Sequence, residues 1–350
     1  MTGVDFGMFE WIDRGDVALP QLYENRLQLL EAADAAGFFC YHLAEHHATP
    51  LGMAASPLLF LASAVQRTRR IRLGPLAILL PLYNPLRLIE EVCMLDNLSG
   101  GRLELGVSRG ASPYELAYFG VDANGSRPIF DEALAILLAG MVSERLTFHG
   151  SHYTFVDVPM ELGPLQRPYP PLWYPSHSLE SMGYVGGNGF NFVGLGSAAR
   201  VRKQVDAYWA AWEARQGDPT RLSGHVTQPK VGINRLVVVA DSDSEALELA
   251  RSAHADWNKT ILTLWHAHGD TSHDELFSWE TGLADETIIF GSPATVREQI
   301  ARLLEVSGCN YVICGFAWGT LQHEHTLRSL RLFADEVMPA FVEGETLAGV

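Results

Sequence analysis

Short apolar runs alternate with longer amphipathic segments along almost the whole chain. Val4–Phe9 reads as a strand, and a helix follows over Leu22–Ala36, where Leu22, Arg26, Leu29, Leu30 and Ala33 recur at helical spacing. Gly37 ends that helix, as a residue tolerant of positive φ does. The pattern then predicts a strand at Phe38–Leu43, a helix at Pro57–Gln66 and a strand at Ile71–Leu80. That third strand is apolar enough to be covered on both faces, as parallel strands are. Leu86–Leu98 is the next helix and Leu103–Ser108 the fourth strand.

The second half repeats the rhythm less tightly. Pro128–Ala139 is helical, and a proline-rich linker, Gly163–Pro171, leads into a strand at Pro171–Ser176. Leu179–Val185 is predicted helical, Phe190–Leu195 a strand and Ala198–Gln216 a long amphipathic helix. Val231–Ala240 and Ser244–Ala255 form another strand–helix pair. Thr295–Val306, Tyr311–Phe316 and Thr326–Phe333 close the series as helix, strand and helix. Eight strands, each followed by helical sequence, call for a parallel sheet of the α/β class. Eight without a reversal favour a closed (β/α)8 TIM barrel over a doubly wound open sheet, which periodicity alone leaves open.

One barrel with insertions accommodates all 350 residues, and no repeat, low-complexity tract or long linker divides residues 1–350. His254–Ile289 breaks the rhythm, with four histidines, three tryptophans and no sustained period. It is expected to be a long lid over the barrel mouth before the last strand.

Composition narrows the partners. Hydrophobic residues make up 47% and charged residues 19%, enough for a large core. A formal net charge of −16 argues against nucleic acid, while an anionic ligand needs only a local cradle of N–H groups and a basic side chain or two. The longest apolar runs, such as Leu76–Leu82, fall well short of the roughly 20 residues of a membrane span, and Met1–Phe9 has no basic stretch of the kind a secretory signal carries. Cys40, Cys93, Cys309 and Cys314 lack CxxC spacing and lie in apolar stretches, which fits buried free thiols in the cytoplasm.

Catalysis in a barrel belongs at the carboxyl ends of its strands. Ala44-Glu45-His46-His47 follows the second strand and could supply a general base beside an orienting carboxylate, or simply a polar loop. The Gly106-Val-Ser-Arg-Gly110 turn follows the fourth strand; it is either a plain βα turn or a place where Ser108 and Arg109 meet a planar or anionic ligand. Ser176-His-Ser-Leu-Glu-Ser181 runs from the fifth strand into a helix, where Ser176 or Ser178 can cap, and hydroxyls, free N–H groups and His177 can hold an anion. Gly186-Gly-Asn-Gly189 precedes a strand, the wrong order for a dinucleotide fingerprint, and reads as a turn. HExxH spacing, a Gly-x-Ser-x-Gly elbow and a Walker A run are missing from the sequence, so no metal site, serine hydrolase or nucleotide-triphosphate enzyme is expected. Phe9, Trp11, Tyr41, Phe316 and Trp318 at strand ends suit an apolar substrate or a flat ring, although aromatics also fill cores.

The run RIRLGPLAILLPLYNPLRLIEE from Arg70 to Glu91, continuing with LDNLSGGRLELGVSRG from Leu95 to Gly110, resembles the bacterial luciferase-like flavin monooxygenases. Leu43–His47, Ile289–Ile300 with its Gly-x-Pro helix start, and Cys309–Gly315 with Phe333–Phe341 are similar to further segments of that family, in order. The resemblance implies an eight-stranded barrel that dimerises through its second and third helices and binds reduced FMN (FMNH2) at the carboxyl rim. It implies phosphate near Arg109, His177, Ser178 and Ser181, a flavin ring passing Glu45, Ala77 and Ser108, and a non-prolyl cis peptide near Leu76–Ala77. His46 matches the family's catalytic histidine. The reaction implied inserts one oxygen of O2 into a small apolar organic substrate, with FMNH2 supplied by a separate flavin reductase. Alternatives on the same fold are a deazaflavin-dependent dehydrogenase and a non-catalytic flavin-binding protein. The luciferase branch has Cys at the position of Ser108, an acidic residue at that of His177 and two arginines absent from Ala284–Gly291, so light emission is not expected.

Overall fold

The computed structural model describes residues 3–341. In chain order the elements are β1 (Asp5–Glu10), α1 (Leu19–Ala36), β2 (Cys40–Leu43), α2 (Pro57–Arg67), β3 (Arg72–Pro75), β4 (Ile78–Leu79), α3 (Pro85–Leu98) and β5 (Leu105–Ser108). There follow α4 (Pro113–Tyr118), α5 (Ser126–Val142), β6 (Arg145–His149), β7 (Thr154–Pro159), β8 (Leu172–Ser176), α6 (Met182–Asn188), β9 (Asn191–Gly194) and α7 (Ala198–Ala214). The last are β10 (Val231–Val239), α8 (Asp243–Ala267), α9 (Trp279–Ala284), β11 (Ile288–Gly291), α10 (Pro293–Ser307), β12 (Tyr311–Gly315) and α11 (His323–Leu332).

The parallel sheet runs β3-β2-β1-β12-β10-β9-β8-β5-β4. Leu73 joins its ends: its amide donates to the Arg102 carbonyl and its carbonyl accepts from the Glu104 amide, both at 2.9 Å. The sheet therefore closes into a barrel of eight staves, with β3 and β4 sharing one position, and the open-sheet alternative falls away. Each of the eight strands read from the sequence is present. Ile71–Leu80 is broken in two at the Leu76–Ala77 peptide, which is cis, where the resemblance places one.

Three segments depart from the sequence reading. An antiparallel β6–β7 hairpin lies outside the barrel, and the Glu132 carboxylate of α5 holds it by accepting the amides of Ser151, His152 and Tyr153. The Gly186–Gly189 stretch is the end of α6 rather than a turn, and only Gly189 leaves the helix, at φ 75°. A Cβ on Gly186 would collide with the Tyr208 carbonyl, so that glycine serves close packing of α6 on α7. Finally, the expected structureless stretch from His254 is the second half of the 25-residue α8, followed by α9 and β11. β11 extends the edge of β10 beyond the point where β12 leaves it.

Strand alternation sorts side chains into two layers. Outward residues such as Phe6, Met8, Tyr41, Leu43, Val237 and Val312 form the main core beneath the helices. On α1 the buried set is Leu22, Arg26, Leu29, Leu30 and Ala33, the stripe that the spacing predicts. Inward, Trp173 and Tyr311 fill the lower lumen, and Gly7 makes room, since a Cβ there would overlap the Tyr311 hydroxyl. The Trp173 indole donates to the Glu104 carboxylate, which also pairs with Arg72, and the floor is a packed plug. Among the described residues no helix is long and apolar enough to cross a membrane.

His42 sits in this plug with Nε2 2.9 Å from the Tyr311 hydroxyl and its ring against Trp173. Burial pulls its pKa down to about 3, so the ring is held neutral. The unfolded chain takes up a proton below about pH 6.5 that the folded one refuses, and stability is lost as pH falls through that value. The expected loss at pH 5 is about 2 kcal/mol. Urea melts of wild type and His42→Gln at pH 7.5 and 5 should differ by that amount in their pH response. The difference isolates His42, because Glu10 and Asp13, raised by burial to about 7 and about 6, titrate across the same range. Equal responses would remove this account.

Candidate active site at the carboxyl rim

The segment after β2 carries two imidazole–carboxylate pairs arranged crosswise. Glu45 is buried, its Oε2 accepting the Leu79 amide at 3.0 Å and its Oε1 the Tyr83 hydroxyl at 3.0 Å. The same Oε1 lies 2.8 Å from His47 Nε2. Glu45 thus ties the end of β2 to β4 and seats His47, whose ring stands edge-on to Phe119 at 4.6 Å. The Tyr83 hydroxyl is pushed well above the ordinary tyrosine range by burial and by the Glu45 charge, so it is a fixed donor.

His46 faces another carboxylate. Its Nδ1 is 3.1 Å from Glu115 Oε1, and that oxygen also accepts the His47 amide at 2.7 Å. Side-chain exposure is 28% for His46 and 3% for Glu115, so the imidazole reaches the opening while its partner stays inside. Burial pushes the Glu115 carboxyl up, but its contacts with His46 and the His47 amide outweigh it, and the carboxyl lies below its ordinary value. An ionised carboxylate at Nδ1 selects the tautomer with its proton there, leaving Nε2 as the acceptor at the rim. α4 begins as Ser112-Pro-Tyr-Glu115, and the Ser112 hydroxyl accepts the Glu115 amide at 3.3 Å. In a complete capping box the glutamate would return to the cap; here it is turned to the histidines.

The other candidates lie on neighbouring staves. Ala77 is buried beside β4, and Ser108, at the end of β5, pairs with Leu79 and accepts the Gly110 amide at 3.2 Å. Arg109 is exposed and close enough to Tyr174 to lower its pKa, opposing the burial that raises it. β5 pairs β8, beyond which the Ser176 and Ser181 hydroxyls meet at 2.8 Å and the Ser178 amide donates to Ser176 Oγ at 3.0 Å. Neither Ser176 nor Ser178 caps the helix, which starts at Met182 with Ser181 in the cap position and its hydroxyl bonded to the Ser178 carbonyl. His177 is exposed, and its carbonyl accepts from Arg200 at 2.9 Å. Glu45, His46, Ala77, Ser108, Arg109, His177, Ser178 and Ser181 therefore follow one arc of the rim, over β2, β4, β5 and β8.

Above the plug the lumen is apolar, walled by Phe9, Ala44, Leu76, Val193 and Ile313 with Trp11 at its edge. The α8–β11 segment reaches this edge. Trp257 stands 5.7 Å from Trp11, and Asp256 accepts the Thr320 hydroxyl at 2.9 Å. Its far end touches α4, after the stave opposite: the Tyr114 hydroxyl donates to Asp270 at 3.0 Å, its ring stacks on His268 at 4.0 Å, and the Tyr118 hydroxyl lies 2.9 Å from His268 Nε2. Sequence reasoning missed Glu115, Tyr114, Tyr118 and Arg200. The Ser-Pro-x-Glu start of α4 was the available signal for the first three; Arg200 had none.

A closed barrel with acid–base pairs, hydroxyls and guanidinium groups along its carboxyl rim is the architecture of a (β/α)8 enzyme. A family model described as luciferase-like monooxygenase matches residues 4–310, and the chain belongs to that family. It is 38% identical over 334 residues to the uncharacterized protein y4wF of Sinorhizobium fredii, covering 95% of this chain and 96% of that one. It is 27% identical over 344 residues to the oxygenase component of a flavin-dependent trigonelline monooxygenase of Acinetobacter baylyi, covering 93% and 91%. The crystal structure of monooxygenase RslO1 from Streptomyces bottropensis superposes with a TM-score of 0.85 at 25% identity, covering 97% of this chain and 100% of that one.

Proposed function

We propose that this chain is the oxygenase of a two-component flavin monooxygenase, using FMNH2 from a separate reductase to insert one oxygen of O2 into a small apolar organic substrate. The observation that carries the reading is the single arc, which sets the His46–Glu115 pair beside a row of hydroxyls and a free guanidinium over an apolar lumen. This donor set fits FMN: Phe9, Leu76, Val193 and Ile313 offer a dry wall for a flat ring, and Arg109, His177, Ser178 and Ser181 suit a phosphate. Glu45, Ala77 and Ser108 line the ring's place, with Glu45 already fixed by three neighbours. Bound FMNH2 supplies the two electrons that activate O2. His46 takes or returns the reaction's proton at Nε2. The α8–β11 segment is the lid, and its aromatic contacts on both sides of the mouth keep water out.

Two companions belong to the proposal. Leu59 on α2, 72% exposed, and the exposed Met94 and Leu98 on α3 support a homodimer through those helices. Four free, buried cysteines support a reducing compartment, the cytoplasm.

Anaerobic titration with FMNH2 and with a deazaflavin tests the cofactor. FMNH2 should bind, Arg109→Ala with Ser178→Ala should weaken it about tenfold through loss of two phosphate contacts, and the loaded protein, mixed afterwards with substrate and oxygenated buffer, should yield an oxygenated product. Binding of the deazaflavin alone, with substrate oxidised without O2, would overturn the reading.

A further inference from the structure

We propose that Glu115 is a positioning residue for the reaction: its carboxylate sets the tautomer and orientation of His46, and α4 links that setting to the lid. The inference rests on the reading of His46 as the proton-handling group. Three observations carry it. One buried oxygen binds both His46 Nδ1 and the amide of the next residue, so ring and backbone are fixed from a single point. The carboxylate is diverted from the helix cap its sequence position would serve, while the Ser112 hydroxyl alone completes that cap. Glu45 cannot substitute, because its oxygens are taken by Leu79, Tyr83 and His47.

The link to the lid follows from the length of α4, six residues. Tyr114 and Tyr118 hold Asp270 and His268, while Glu115 between them holds His46. Closing the lid therefore seats the helix that orients the imidazole.

Glu115→Gln keeps an acceptor for the His47 amide and removes the charge. Turnover is expected to fall 10–100-fold, the range for loss of a group that orients another, with KM for substrate within about twofold. Glu115→Asp should recover part of the rate. A readout without turnover is the 15N spectrum of the histidine rings, with His46 assigned by its loss in His46→Gln. Wild type should show the Nδ1–H tautomer, and Glu115→Gln a mixture; if that variant melts early, Glu115→Asp carries the same comparison. An unchanged tautomer and unchanged turnover in Glu115→Gln, with His46→Gln inactive, would overturn this inference alone. Full activity in His46→Gln would overturn the reading beneath it.

Discussion

His46→Ala is expected to lower the product formed per FMNH2 consumed by about 10²–10⁴, the usual worth of a positioned general acid–base group. Flavin affinity should stay within about twofold, because the residues proposed to hold its phosphate follow β5 and β8, two and three staves from β2. O2 should still be consumed, with the reducing equivalents recovered as hydrogen peroxide. The measurement is a stoichiometry: product and peroxide per FMNH2, anaerobically prepared and mixed with oxygenated substrate. Undiminished product yield would remove His46 from the chemistry and leave only the positional argument from its 28% exposure at the rim.

The second large effect is on stability. Trp173→Ala should lower the free energy of unfolding by about 3–5 kcal/mol, the range for emptying a buried aromatic site. Trp173 is fully buried against Tyr311 and His42, and its indole N–H is a partner of Glu104. Burial raises the Glu104 carboxyl despite the opposing Arg72 charge and the indole, so losing the indole leaves a costly acceptor in the lumen. Trp173→Phe should cost less than Ala but more than the lost volume alone, since the ring returns without its N–H. Urea melts followed by far-UV circular dichroism decide the order. A Phe variant as stable as wild type would show that the Glu104 contact contributes nothing.

The barrel was legible because its strands are apolar on both faces and the α1 stripe buries the five positions its spacing selects. Other elements were hidden for identifiable reasons. The helix predicted at Ser244–Ala255 runs on to Ala267, and its continuation buries His254, Trp257, Leu262 and Leu264, a face whose polar-capable His and Trp mask the period in the sequence. The β6–β7 hairpin alternates weakly, since both its faces are largely exposed, and neither side demands a strict period. At the site, Glu45 and His46 could be read from their place after a strand. Glu115 could not, because its partner is 69 residues away and no local pattern encodes which way a capping-box glutamate turns.

The packed floor has a consequence for kinetics. With Trp173, Tyr311 and the Glu104–Arg72 pair filling the lower lumen, the barrel is closed off below its carboxyl rim. On the proposed reaction, reductant, oxygen, organic substrate and products would all pass the carboxyl rim beside α8. Traffic through a single door imposes sequence: whatever lies deepest goes in first and comes out last. For the lid proposed above, turnover would be capped by how often it opens, whatever the speed of the chemistry behind it.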